Sequence, residues 1–363
     1  MKKPTYGPSI YYATDKNIFD ALNEHRVDLP TITGLFADRN IVVSKKTDRV
    51  SLAKYFSRLT HDYQDNQRIA ARLGVASRRE RITSMAVDGI ATIEDVTSSI
   101  DQIKEDMESI GDVISITRTG ENISVNIHYT TIDYKRNEFN QLQVRDGVID
   151  FVKSKEKYIV RNTHNDYVNM VRDRILMAVG KNTGQDISKD EISLFDIPSY
   201  KKRSKFFLDL MNHISGYSRR DVTDVYTFKA KPDPDDEVED DIETHVERVV
   251  LRGNGVSRSE ILSGLLEDKQ YYICRVGWTT ADLRGAGNEY DIEAMFADPK
   301  NCTGFSFLLR GVYPLEDGKV SSRKRAPLRY EIERISSVVE DKARELMEEL
   351  RNESLQSADS DES

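Results

Sequence analysis

At 363 residues the chain is long enough for two or three domains of the usual size, about 100–150 residues each. Apolar residues make up 38% and charged residues 32%, yet Ile, Val, Leu and Phe recur with clear periods, which excludes wholesale disorder. The net charge is −9, but 53 Lys and Arg stand beside 62 Asp and Glu, so charge is expected to segregate onto faces and its mean says little about partners.

Two cysteines, Cys274 and Cys302, have neither metal-ligand spacing nor the arrangement of a disulfide framework, and point to a reducing compartment. The first residues lack an apolar signal region, and no window approaches about eighteen apolar residues. The expectation is a cytoplasmic protein with no membrane contact.

Residues 15–85 read as helical, with apolar positions recurring at three and four: Ile18, Phe19 and Leu22, then Ile32, Leu35 and Phe36, then Leu52, Tyr55, Phe56 and Leu59. A further helix over 93–110 carries Ile93, Val96, Ile100, Ile103, Met107 and Ile110 on one face. The period then falls to two. Residues 113–119 and 123–129 alternate around Gly120-Glu121-Asn122, a hairpin signal. Strands are expected near 142–144, 148–152 and 158–161, then helices over 167–179 and 199–214.

A second β-rich region offers strands at 225–229, 246–252, 271–279, 290–296 and 305–312, with a helix at 257–266. Short connections favour an antiparallel layer, so the fold class is α+β: an N-terminal helical region, one or two antiparallel β-rich domains and a C-terminal helix. The domains expected are a helical region 1–90, a middle domain 91–218, a β-rich domain 219–327 with an acidic insert at 232–243, a closing helix 328–352 and a disordered acidic tail 353–363. The closing helix bears Ile332, Ile335, Val339, Leu346 and Leu350, a stripe that could dock a partner protein.

The most informative stretch is 29–59. A helix over about 30–39 turns Ile32, Leu35 and Phe36 inward and stops at Asn40, which tolerates the left-handed conformation. The extended Ile41-Val42-Val43 needs both faces covered. The polar loop Ser44-Lys45-Lys46-Thr47-Asp48-Arg49 leads into a second helix with Asp48 as N-cap.

Helix, extended link, basic loop, helix resembles the SAP and LEM class of small DNA-binding modules, through Ile32, Leu35, Phe36, Ile41, Val43, Lys45, Lys46, Leu52, Phe56 and Leu59. The resemblance implies that the basic loop and the following helix start meet the phosphate backbone, where amide donors and lysines attract phosphate without reading sequence. Asn40 stands where the class has glycine, and the loop is longer than usual. The stretch also resembles proteins of prokaryotic antiphage defence operons.

Arg68, Arg72, Arg78, Arg79 and Arg81 crowd the next segment, and further basic runs lie at 201–205, 219–220 and 323–325, interleaved with Tyr200, Phe206 and Tyr217. Lys45, Lys46, Arg49, Arg78, Arg79 and Arg81 are the expected DNA-binding residues. Solvated faces balancing the acidic insert are the plainer account of each run taken singly.

No set of residues declares an active site, a cofactor or a metal. His61-Asp62 ends a helix, where such residues commonly cap. Gly253-Asn254-Gly255 lacks the third glycine or the Gly-Lys-Ser/Thr of a phosphate loop, and Ser257 with Glu260 suits a capping box. Asp291 and Glu293, with Glu289, fall on one face of a strand and would ordinarily face solvent. The expectation is a non-catalytic, DNA-associated component of a multi-protein bacterial system, with antiviral defence as a possible role; the alternatives are a metal-dependent nuclease subunit and a protein–protein scaffold.

Overall fold

The computed structural model describes residues 13–73, 80–135, 138–230, 246–283 and 287–361. The helices are α1 (Asp15–Asn23), α2 (Leu29–Ala37), α3 (Arg49–Ser57), α4 (Tyr63–Leu73), α5 (Ile93–Ser109), α6 (Glu138–Gln141), α7 (Asp166–Thr183), α8 (Tyr200–Asn212), α9 (Glu260–Glu267) and α10 (Arg329–Asp361). The strands are β1 (Ile82–Asp88), β2 (Val113–Thr119), β3 (Asn122–Ile132), β4 (Leu142–Ser154), β5 (Lys157–Thr163), β6 (Ser188–Glu191), β7 (Tyr217–Phe228), β8 (Arg248–Arg252), β9 (Tyr272–Asp282), β10 (Glu289–Asp298) and β11 (Thr303–Tyr313). The class is α+β, as the two hydrophobic periods imply. The chain divides into two compact units.

The first unit takes in Met1–Arg78, Val96–Thr119 and Ile123–Val148. Helices α1 to α4 close around Ile18, Leu22, Ile32, Leu35, Phe36, Leu52, Phe56, Ile69 and Leu73, all buried. Each of the first three helices starts on a side-chain cap. Thr14, Asp28 and Asp48 accept the amide N–H of Asn17, Thr31 and Ser51, satisfying donors the helix cannot. Asn40 has φ +57 and reverses the chain after α2, the left-handed role its side chain tolerates. Two side chains depart from expectation: Val42 is 97% exposed and Tyr55 51% exposed, although both were read as covered. In the rest of the unit, α5 buries Val96, Ile100, Ile103 and Met107, and β2, β3 and β4 are neighbours in that order.

The second unit takes in Arg79–Asp95, Gly120–Asn122 and Ile149–Ser363. Its antiparallel sheet runs β5-β1-β11-β10-β9-β7-β8, and β6 pairs with β1. The helical reading of 15–85 and the 1–90 boundary fail at β1. The run Ile82-Thr83-Ser84-Met85-Ala86-Val87 pairs with β5 over six residues and is buried on both faces. Burial on both faces removes the alternation by which a strand is ordinarily recognised. No boundary falls at 218/219, because β7 pairs with β9 inside the same unit. The helix expected from Ser257 starts later: Val256–Arg258 form a 3-10 turn, and α9 opens at Glu260 with Ser259 at the N-cap.

One face of this sheet carries Trp278, Ile292, Phe296 and Phe307 into a core shared with α8 and α10. Helix α10 adds Ile335, Val339, Ala343, Leu346, Met347 and Leu350, each at most 3% exposed. The stripe read as a partner-docking face is therefore covered by the chain itself. Nor do residues 353–361 form a tail as expected, for α10 runs on to Asp361; residues 362–363 lie outside the described residues. Glu353 pairs with Lys205 at 2.6 Å, and the Ser354 hydroxyl accepts from Lys202 Nζ at 2.9 Å. The acidic insert 232–243 lies outside the described residues. No helix among the described residues is long and apolar enough to cross a membrane.

Candidate functional site

Helix α3 presents a sharp division of faces. Leu52, Ala53 and Phe56 enter the first unit's core, while Val50, Ser51, Lys54, Tyr55 and Arg58 form the exposed stripe. The spacing of four between Val50, Lys54 and Arg58 keeps them on one side of the helix. Lys45 and Lys46 stand exposed in the loop just ahead of its N-terminus. The side chains of Lys45, Lys46, Lys54 and Arg58 make no hydrogen bond or ion pair among the described residues. Asp48 caps the start of α3, and its carboxylate accepts from the Ser51 amide at 2.9 Å and the Ser51 hydroxyl at 2.7 Å. Those two bonds from Ser51 hold the Asp48 carboxyl below its ordinary range.

Tyr55 sits in the middle of the stripe. Its ring stacks on buried Phe36, with centroids 5.5 Å apart and planes 21° apart. Phe36 in turn meets Phe56 edge-on at 5.2 Å, so the exposed ring is backed by the aromatic core.

Of the residues expected to bind DNA, Lys45 and Lys46 stand exposed just ahead of this helix, whereas Arg49 and Arg81 are engaged elsewhere. Arg49 points inward. Its guanidinium donates to the carbonyls of Leu22 at 3.3 Å, Glu24 at 2.7 Å and Val27 at 2.5 Å, closing the end of α1. Arg81 belongs to the second unit, where it pairs with Glu293. Arg78 and Arg79 lie outside the described residues. Lys54 and Arg58, absent from that expected set, were legible as the positions of α3 left over once the inward set was assigned.

The second unit holds a contrasting charge cluster on the sheet face opposite its core. Glu293, 1% exposed, accepts from Arg81, Arg275 and Arg310, with Arg275 at 2.6 Å. Arg310 also donates to Asp224 at 2.6 Å, Arg252 pairs with Asp224 at 3.0 Å, and Lys324 with Asp291 at 2.8 Å. The register of β10 against β11 shifts at Asp291/Ile292, which sets Arg310 in a bulge. Gly277 lies beneath the pair: a Cβ there would stand 2.8 Å from Asp224 Oδ2 and 2.9 Å from an Arg310 nitrogen. Burial pushes the Asp224 carboxyl up, but the Arg310 hydrogen bond and charge more than offset this and hold it low. Asp291 and Glu293, read as solvent-facing acids, are thus buried and matched with cations, because the arginines of adjacent strands fold over them.

Each of the later basic runs is answered in part within the unit. Lys205 meets Glu353, Arg220 meets Glu289 at 3.3 Å, and Arg325 meets buried Glu331 through two bonds of 2.7 Å. The sites rejected in the sequence find structural explanations. His61 Nε2 lies 3.2 Å from the Ser57 carbonyl, at the end of α3. The Gly255 amide donates to the Asp221 carboxylate at 2.9 Å, so an acid already occupies the place a phosphate would take. Both thiols are buried, and burial pushes Cys274 up to about 11 and Cys302 up to about 12, which leaves them protonated at neutral pH.

No protein-family model matches the chain, and no curated protein is significantly similar to it.

Proposed function

We propose that this protein is a non-catalytic DNA-binding component that holds the phosphate backbone along the outer face of α3. The carrying observation is that Lys45 and Lys46, in the loop ahead of α3, and Lys54 and Arg58, along the helix and at its C-cap, are all exposed and have no side-chain partner among the described residues. Cations left unpaired on one face of a chain with net charge −9 are poised to exchange their counterions for phosphates. The resemblance to SAP and LEM modules leads to the same loop and helix start. Lysines at such a place bind without reading bases, so the expected binding is weak and indifferent to sequence.

Membership of a multi-protein bacterial system, with antiviral defence as its purpose, extends this proposal on the strength of the sequence resemblance. A metal-dependent nuclease subunit is the less favoured reading. Asp224, Asp291 and Glu293 are each engaged by Arg or Lys side chains in the space a metal would need.

The test is binding of the full chain to a blunt duplex across a salt series. Four neutralised phosphates give a slope of log affinity against log salt of about −3.6, and K45Q/K46Q removes about 1.8 of it. A flat series, or a double variant indistinguishable from the parent chain, overturns the proposal.

A further inference from the structure

We infer that the α3 surface is built to take an unpaired nucleic-acid strand, with a base stacked on Tyr55 and the flanking phosphates on Lys54 and Arg58. This rests on the proposed backbone binding and goes beyond it by naming the form of nucleic acid preferred. Backbone contact alone gives no preference for a single strand, since both forms present phosphates and the duplex carries them at the higher charge density. A flat aromatic face is different. In a duplex the bases are stacked on one another, whereas an unpaired base can leave its neighbours and lie on a ring.

The geometry around Tyr55 suits that use. The residue is 51% exposed, and stacking on Phe36 at 5.5 Å with planes 21° apart turns one ring face to the core and the other outward. Phe36 is fully buried, so the ring is held in place before any ligand arrives, which lowers the ordering cost of binding. Lys54 adjoins Tyr55 in the chain and Arg58 lies three residues on, both exposed on the same stripe. An aromatic plane flanked by unpaired cations is the combination that sequence-tolerant strand binding requires: charge for the backbone and a π surface for any base.

The experiment compares a labelled single strand with its blunt duplex of equal length on the full chain at one salt concentration, using the parent chain, Y55A, Y55F and K45Q/K46Q. Thermal unfolding of each variant confirms the fold. The parent chain should bind the single strand more tightly than the duplex. Y55A should weaken the single strand by about 5- to 150-fold and the duplex by less than about twofold, while Y55F stays near the parent. K45Q/K46Q should weaken both forms. If Y55A weakens the two forms equally, or neither, the stacking inference is wrong while backbone binding stands. If the parent chain binds neither form, the proposed function fails and the inference with it. Should Y55A prove unfolded, Y55F with unchanged preference for the single strand supports the inference, and Y55F with that preference lost overturns it.

Discussion

The α3 stripe and the Glu293 cluster are both dense in positive charge, and they differ in what the charge answers to. In the second unit, Arg81, Arg275 and Arg310 converge on one buried carboxylate, and Asp224 and Asp291 take Arg252 and Lys324. Along α3 and the loop before it, four cations stand exposed, and their side chains make no ion pair among the described residues. Charge of the first kind holds strands together. Charge of the second kind is available to a ligand. A basic run in a sequence does not distinguish the two, and Arg81 shows the consequence: it was expected at the DNA-binding surface and instead sits against Glu293 in a different unit.

The comparison breaks most readily at Glu293. Replacing it with Ala leaves three guanidinium groups facing one another without their shared acceptor. Breaking a buried pair costs about 3–5 kcal/mol, and the lower end is expected here because the three side chains keep 20–28% exposure and can turn toward water. Chemical denaturation of the full chain reads this as a lower midpoint in the second unit's transition. A cost under about 1 kcal/mol would mean that the cluster is as loosely bound as a surface ion pair, and the contrast with α3 would collapse.

Acid should expose the same difference more gently. The carboxyls of Asp224 and Glu331 are both held below their ordinary values, Asp224 by Arg310 and Arg252 against the effect of burial, Glu331 by the Arg325 hydrogen bond foremost. A depressed folded value means that the unfolded chain binds the proton first, so their stabilisation is complete above the ordinary values of 3.8 and 4.5 and is lost as pH falls below them. His164 adds an earlier step of the same sign. Burial, then the charges of Arg172 and Arg81, lower it from 6.5, so the unfolded chain again takes up protons first and stability declines as pH falls through 6.5. Melting temperature followed downward from neutral pH should therefore fall in two stages, and H164Q should remove the first. A curve that is level between pH 7 and 5 would show that His164 titrates alike in both states.

The α+β class, the hairpin at Gly120, the cap at Asp48 and the turn at Asn40 were legible because each rests on neighbours in the chain: a period, a cap, a left-handed residue. β1 was not legible because burial on both faces erases alternation, and its partners lie far along the chain in β5 and β11. The acids of β10 were misread for a related reason. Alternation places Asp291 and Glu293 on the face opposite the core, but only the pairing of β9, β10 and β11 brings Arg275 and Arg310 over them. The candidate site was half legible. Lys45 and Lys46 follow from a polar loop before a helix, whereas the outward turn of Tyr55 depends on Phe36 filling the place an inward ring would have taken.

The smallest expected effect is also the one that separates the two regions most cleanly. Reversing Lys45, Lys46, Lys54 and Arg58 to Glu removes no bond among the described residues, so unfolding free energy should shift by no more than about 0.5 kcal/mol per position. Lys54 lies in the last turn of α3 and Arg58 at its C-cap, where a cation favours the helix dipole, and their reversal should account for most of whatever is lost. Lys45 and Lys46 precede the helix, where a negative charge is favourable, and their reversal should be neutral or slightly stabilising. DNA binding should disappear in the same protein. Loss of binding without loss of stability is the signature of charge kept for a ligand. If the fourfold variant instead unfolds as readily as the Glu293 variant, these cations stabilise the first unit in a way that their exposed, unpaired positions do not explain, and the α3 stripe joins the Glu293 cluster as part of the scaffold.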